Sequence, residues 1–237
     1  MIANRFYLEK VINSGRYGQV YMATNIGNGR YYACKMLPKK RHDLSDFKNK
    51  MMIDNEIRNM NKVQVHKNIV RLEEVLEDEE NVYLIEELCG GGAYEGGGGG
   101  DQHMKGFVGD VIDAVAHCHE QDIIFGDLKL GNIIFSIEDQ CYKLTDFGSS
   151  VAVDSFSKEG FLKSTTPVIA APELLTSDVV TFAYDVWGIG ILTRYVYQHS
   201  SHKRNEDIEE FIRMCLETDP SKRMKSYMMK TYWSQIF

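Results

Sequence analysis

The chain is short of positive charge: 27 lysines and arginines face 34 aspartates and glutamates, a net of −7. That balance leaves no electrostatic footprint for nucleic acid and disfavours docking on an anionic membrane surface. No apolar run approaches the ~18 residues that a bilayer crossing needs, so no membrane insertion is expected. The start, Met1-Ile2-Ala3-Asn4-Arg5-Phe6, has no apolar signal region, so any targeting segment was removed or never existed. The five cysteines, Cys34, Cys89, Cys118, Cys141 and Cys215, are odd in number and lack CxxC spacing. Neither a disulfide framework nor a zinc site is therefore expected, and a reducing intracellular compartment is the natural reading. The cytoplasm is the compartment expected, or an organelle stroma if a transit peptide has been cut away.

What remains is ordinary globular material. With 237 residues and 43% hydrophobic composition, the chain can bury a substantial core as one domain or as two lobes around a cleft. Residues 6–36 read as strands broken at glycines, with Val11, Val20, Tyr21, Tyr31, Tyr32 and Cys34 supplying β-prone character. From about Leu44 to Val63 the pattern turns helical, with Phe47, Met51, Met52, Ile57 and Met60 at three- and four-residue spacings. Two more strands, Ile69 to Leu76 and Asn81 to Glu86, flank the acidic turn Glu77-Asp78-Glu79-Glu80, which is expected to solvate a hairpin tip. Gly90 to Glu95 and the five glycines that follow, Gly96 to Gly100, are expected to form a mobile connector holding neither helix nor strand, because each glycine adds unfolded-state entropy. Beyond it, amphipathic patterns run from about His103 to Glu120, Ala183 to Gln198 and Asp207 to Glu217. A β-rich half thus precedes an α-rich half.

The chemistry concentrates in two short segments, Phe125-Gly126-Asp127-Leu128-Lys129-Leu130-Gly131-Asn132 and Asp146-Phe147-Gly148. Asp127 can orient an attacking hydroxyl, Asn132 and Asp146 can hold magnesium, and Lys129 can neutralise a phosphoryl group in flight. Upstream, Asn13-Ser14-Gly15-Arg16-Tyr17-Gly18-Gln19-Val20 lies between two expected strands. There Gly15 and Gly18 would let backbone N–H groups approach phosphate.

The paired segments resemble the catalytic and metal loops of eukaryotic-type serine/threonine protein kinases. Residues 13–20 resemble that family's glycine-rich loop, with Asn13 in place of the first glycine. The resemblance covers roughly residues 6 to 233 and implies an α+β, bilobal fold. A single domain, 1–237, would comprise a small β-rich N-lobe (1–88) and a larger, mainly α-helical C-lobe (89–237). It implies ATP and Mg²⁺ as cofactors, a protein substrate and a monomeric enzyme. Lys35, in Ala33-Cys34-Lys35, would pair with the α- and β-phosphates, with Glu56 as its anionic partner. Val20, Ala33, Ile134 and the hinge residues Glu87 and Cys89 would hold the nucleotide, and Glu86 would stand at the back of the adenine pocket. Burying that carboxylate alone is costly, so a lysine partner or water is expected there. Phe125 would join Met60, Leu72 and Phe147 in an apolar spine. Glu173 would find Arg223, and the Asp185-Val186-Trp187-Gly188 helix would anchor the catalytic loop. The wording of residues 33–35 and 84–89 looks most like the calcium/calmodulin-dependent kinase group.

The departures carry information too. Phe125-Gly126-Asp127 replaces His-Arg-Asp, so the basic group that receives an activation-loop phosphate is missing. This implies that phosphorylation of Ser164, Thr165 or Thr166 is not required. The large lobe is abbreviated, since only about twenty residues separate the Asp185 helix from the Ile208 helix. Asn13, Glu86, Gly126 and that shortening raise an alternative, a nucleotide-binding pseudokinase scaffold. Gly126-Asp127-Leu128 with Gly131-Asn132 also resembles aminoglycoside and choline kinases. Those small-molecule enzymes lack the peptide-positioning loop that Thr166 to Glu173 resembles.

Overall fold

A computed structural model describes residues 1–15, 18–94, 101–153, 170–176, 180–199 and 204–237. Ser164, Thr165 and Thr166, whose phosphorylation is expected not to be required, the loop through Ile169, Glu95 and the glycine run 96–100 lie outside the described residues.

The β-rich half forms one antiparallel sheet in the order β1-β2-β3-β5-β4. Its strands are β1 (Phe6–Gly15), β2 (Gly18–Asn25), β3 (Tyr31–Pro38), β4 (Leu72–Glu77) and β5 (Asn81–Glu87). Turns with their own hydrogen bonds link the strands. Asn25 Oδ1 accepts from the N–H groups of Gly27 and Asn28 between β2 and β3. At the acidic tip Asp78 does more than meet solvent: Oδ1 accepts from Glu80 N at 2.9 Å and Asn81 N at 2.8 Å, and Oδ2 from the Tyr83 hydroxyl at 2.6 Å. This closes an Asx-type turn.

Cross-strand register fixes the two faces of the sheet, because directly paired residues point the same way. Cys34 pairs with Ile85 and Met36 with Tyr83. Their face is covered by Phe6 and Ile2 to make a small apolar layer. Val20 pairs with Lys35, which pairs with Leu84, and Ala33 pairs with Glu86. These residues share the opposite face, so one strand pattern delivers an apolar exterior and a chemically equipped interior.

Helix α1 (Asp46–Val63) starts at Ser45, whose hydroxyl caps Lys48 N. It buries Ile53, Glu56, Asn59, Met60 and Val63, a helical stripe in which Glu56 occupies an otherwise core position. Segment 68–70 bonds to the metal-loop strand, with Leu144 N donating to Asn68 O and Val70 N to Leu144 O. For this reason β4 begins at Leu72 rather than Ile69.

The glycine stretch departs from expectation. Gly90–Ala93 forms a strand, β6, pairing antiparallel with β8 (Ile133–Ser136), which pairs with β9 (Cys141–Leu144). Local entropy argues against this strand, but a distant partner supplies its hydrogen bonds. The contact also requires glycine, since a Cβ on Gly91 would lie 2.6 Å from Phe135 O. A separate two-stranded ladder pairs β7 (Ile123–Ile124) with β10 (Val151–Ala152).

Helices α2 (Asp101–Glu120), α3 (Glu173–Thr176), α4 (Ala183–His199), α5 (Glu206–Cys215) and α6 (Ser226–Ile236) build the second lobe. The Met229 and Trp233 stripe of α6, one helical turn apart, was not among the expected amphipathic patterns, yet both are buried against the rest. One apolar cluster runs from Leu37 and α1 through Phe125 and Phe147 to Trp233, joining the two lobes. Among the described residues no helix lies between α4 and α5, and none is long and apolar enough to cross a membrane. All five cysteines are buried and free.

Candidate active site

The 125–132 loop is hung from α4. Asp185, wholly buried near that helix's start, accepts from Phe125 N and Gly126 N at 2.8 Å each, and faces His119 Nε2 at 2.8 Å. Taking both N–H groups requires a sharp turn, and Gly126 makes it with φ of +83°, a left-handed conformation that glycine adopts without strain. Gly188, one turn along α4, brings the helix backbone against the loop, where an added Cβ would lie 3.0 Å from Leu128 Cβ.

Beyond that turn Asp127 is buried, with Oδ2 accepting from Lys129 Nζ at 2.6 Å and from Asn132 Nδ2 at 3.1 Å. Asn132 Nδ2 also donates to Asp127 O at 3.0 Å. Its amide nitrogen is committed, so the opposite end, Oδ1, is the end available to a cation. Lys129 is far more exposed, with 40% of its side chain accessible against 5% for Asp127. Asp127, Lys129 and Asn132 thus form one group.

Lys35, Glu56 and Asp146 form the second. Lys35 Nζ, buried in the sheet face described above, donates to Glu56 Oε1 and, at 2.6 Å, to Asp146 Oδ1. Asp146 adopts a left-handed conformation, φ 64°, and opens the turn Phe147–Ser149 by accepting from Gly148 N. Burial disfavours its charged form, but the Lys35 charge and hydrogen bond outweigh burial and hold its carboxyl below the usual range. For Lys35 burial works against the charge, and the carboxylates of Asp146 and Glu56 overcome it, so the ammonium holds its proton well above the ordinary lysine range. Burial raises Glu56, opposed by Lys35. The two groups are stitched together by Thr145 N donating to Asn132 O at 3.0 Å.

Oxygen donors from Asn132 and an ionised Asp146 suit a hard, oxygen-seeking divalent cation such as Mg²⁺. The pair also fits because the amide orientation and the depressed carboxyl pKa both leave an acceptor for it.

The remaining expected residues lie around the sheet and hinge. Asn13 is exposed opposite Val20, and Gly15 faces Gly18 where β1 turns into β2. Gly18 has a packing reason to be glycine, since its Cβ would meet Met36 O at 2.0 Å. Ile134 is half-buried on β8, and Cys89 O accepts from Ile137 N at 2.9 Å. Glu87 receives Lys143 Nζ at 2.8 Å and Arg71 N at 2.8 Å. Phe125 and Phe147 meet edge to face, 5.1 Å apart, in the cluster that holds Met60 and Leu72.

The lysine partner expected for Glu86 is missing. Its Oε1 is buried and has no hydrogen-bond partner among the described residues. Lys35, the cation whose charge reaches it, donates to Glu56 and Asp146 instead. Burial outweighs that attraction and pushes the Glu86 carboxyl up to about 8.

Two features escaped the sequence. Asn59 of α1 donates to Ser150 O and Oγ, and Ser150 Oγ donates to Phe147 O at 2.6 Å, tying the helix to the turn after Asp146. Asn59's place on the buried stripe of α1 was the available signal. Lys143 bridges Glu87 and Asp139, joining the hinge to the β8–β9 hairpin.

Comparison with known proteins bears on the whole arrangement. Residues 6–202 match the protein kinase domain model. The chain is 33% identical over 192 residues to the probable serine/threonine-protein kinase PLK of Dictyostelium discoideum, covering 76% of this chain and 18% of that protein. It is 29% identical to the mouse serine/threonine-protein kinase 33, covering 77% of this chain and 40% of that protein. With the rat calcium/calmodulin-dependent protein kinase type 1B it shares 29% identity over 94% of this chain and 72% of that protein. The matches thus span less than half the length of the first two relatives.

Proposed function

Because the chain belongs to the protein kinase domain family, we propose that it transfers the γ-phosphate of ATP to serine and threonine hydroxyls of protein substrates. The observation that carries this reading is Asp127. Its carboxylate is oriented by Lys129 and Asn132 on a loop hung from Asp185, beside the Lys35–Glu56–Asp146 group.

The roles of the individual residues are carried over from the family pattern, and their surroundings support them. Lys35, kept charged and positioned by Glu56, clamps the α- and β-phosphates. Asp127 accepts the proton of the substrate hydroxyl and aims its oxygen, and the exposed Lys129 meets the transferring phosphoryl group. Magnesium held by Asn132 and Asp146 would supply charge neutralisation at the phosphates. Val20, Ala33 and Ile134 pack the base, whose edge meets the backbone of Glu87 and Cys89. Asn13, Gly15 and Gly18 cover the phosphates. The chain acts as one domain, with residues 1–88 as its small lobe and 89–237 as its large lobe. It works as an intracellular monomer, a setting that suits five free thiols.

The test is transfer of labelled γ-phosphate from Mg-ATP to generic protein substrates, with Asp127→Asn purified alongside. Transfer by the wild type alone, recovered as phosphoserine or phosphothreonine, is expected. A second reading, a nucleotide-binding pseudokinase, is favoured by one observation, the buried Glu86 Oε1 beside the base site, which has no hydrogen-bond partner among the described residues. Magnesium-dependent ATP binding without transfer to any substrate would select it.

A further inference from the structure

Glu86 is an acid that phosphate chemistry leaves unused. It shares the sheet face of Val20, Ala33 and Lys35, and it directly opposes Ala33. Only 5% of the residue is exposed, and Oε1 has no partner among the described residues. The titratable groups around it are Lys35 and Cys34 on β3, Glu56 on α1, Asp146 after β9, Glu87 on its own strand and Cys89 just beyond it. Of these Lys35 is the single cation, and its hydrogen bonds go to Glu56 and Asp146, with none to Glu86 Oε1. Nothing within this cluster supplies the hydrogen bond that a buried carboxyl requires. A ligand group entering the face would supply it.

The inference rests on the nucleotide reading above, in which Ala33 and Val20 pack the base and the next residue, Glu87, meets its edge. We propose that Glu86 reads the substituent at position 6 of the purine base, and so sets the preference for a 6-amino base, adenine, over a 6-oxo base, guanine. The discrimination follows from hydrogen-bond inventory. A carboxyl group in either protonation state offers an acceptor to an amino group. Only the protonated carboxyl can donate to an oxo group, and an ionised carboxylate facing that oxygen is repelled. Adenine is therefore accepted in both states and guanine in one.

This gives Glu86 a signature that a purely structural role lacks. Burial sets its carboxyl near 8, so the ATP-to-GTP affinity ratio rises with pH through that region. Glutamine, which always carries both a donor and an acceptor, removes the dependence.

The experiment is calorimetric titration of Mg-ATP and Mg-GTP into the wild type and Glu86→Gln, on the acidic and basic sides of that value. Taking the ratio cancels Lys35, Glu56, Asp146 and the phosphates, which see the same triphosphate. Comparison with Glu86→Gln cancels any titration of the bases themselves. The expected result is a wild-type ratio that climbs by roughly tenfold per pH unit once the carboxyl ionises. The Glu86→Gln ratio should lack that climb, and the variant should bind GTP more tightly than the wild type under basic conditions. ATP binding with a wild-type ratio that tracks that of Glu86→Gln would overturn this inference and leave the phosphotransfer reading standing. Binding of neither nucleotide would overturn both.

Discussion

Arg223 and Glu173 meet fork to fork, with Nη1–Oε1 at 2.8 Å and Nη2–Oε2 at 2.9 Å, and the arginine side chain is wholly inaccessible. The guanidinium also donates to Ala183 O and Glu217 O, and it lies over the Trp187 ring. Three elements converge on one cation: α3, the start of α4 and the segment before α6. Glu173→Gln leaves a buried charge without its counter-ion, and we expect a loss of about 3–5 kcal/mol in unfolding free energy by urea titration. An unchanged midpoint would show that the pair contributes no net stability.

Asp127→Asn preserves shape and the capacity to accept from Lys129, but removes the base. Turnover should fall by roughly 10² to 10⁴, with the thermal midpoint close to that of the wild type. Near-full turnover in the variant would refute the role of Asp127.

Glu86 also couples stability to pH. Its folded-state pKa, about 8, lies above the ordinary 4.5. The protonated form is the one the fold prefers, so the folded state is favoured while Glu86 stays protonated. This contribution is full below the unfolded value and declines as pH rises through the folded one. Glu86→Gln should therefore be more stable than the wild type, by a margin that widens between those two values and levels off at high pH. Parallel urea curves that do not diverge across this window would contradict the placement of the acid.

Asp146 runs the other way, with a pKa held low by Lys35 against the cost of burial. Its stabilisation is present above the ordinary carboxylate range and disappears as pH falls through the lowered value. Asp146→Asn should unfold with a shallower loss of stability on the acid side than the wild type, as acid titrations of both proteins would show.

Gly190 sits mid-helix on α4, where alanine would ordinarily gain about 1 kcal/mol from propensity. Here a Cβ would lie 2.7 Å from Cys215 Cβ and 2.8 Å from Leu216 Cδ2. Cys215 Cβ is tied to backbone and cannot swing aside, so overpacking wins. Gly190→Ala should cost about 1–3 kcal/mol by urea unfolding.

Much of this was legible along the chain, because the needed signals are local. The apolar spacing from Phe47 to Met60 announces a helix, although the face it buries is that of Ile53, Glu56 and Met60, with Phe47 and Met51 exposed, and the loop 125–132 carries its chemistry within eight consecutive residues. The Glu173–Arg223 pair was reachable through family resemblance, although fifty residues separate the partners. What stayed hidden depends on partners that no local pattern names. Gly90–Ala93 reads as a connector until Phe135 closes against Gly91. Asn59 is one more polar helix residue until Ser150 arrives from 91 positions away. The missing partner of Glu86 was invisible for a related reason. Family resemblance gives Glu56 as the partner of Lys35, and only the assembled cluster reveals that Asp146 is a second one and that Glu86 Oε1 receives no hydrogen bond among the described residues.

The suspension of the 125–132 loop from Asp185 has a kinetic meaning. Three hydrogen-bonding groups converge on a carboxylate in the interior of the second lobe. The aim of Asp127 is therefore inherited from a side chain fully buried in the second lobe. Preorganisation of this kind means that little rearrangement of the loop has to accompany substrate arrival. Damage deep in α4, far from any substrate, would then surface as a slower enzyme before it surfaced as an unfolded one.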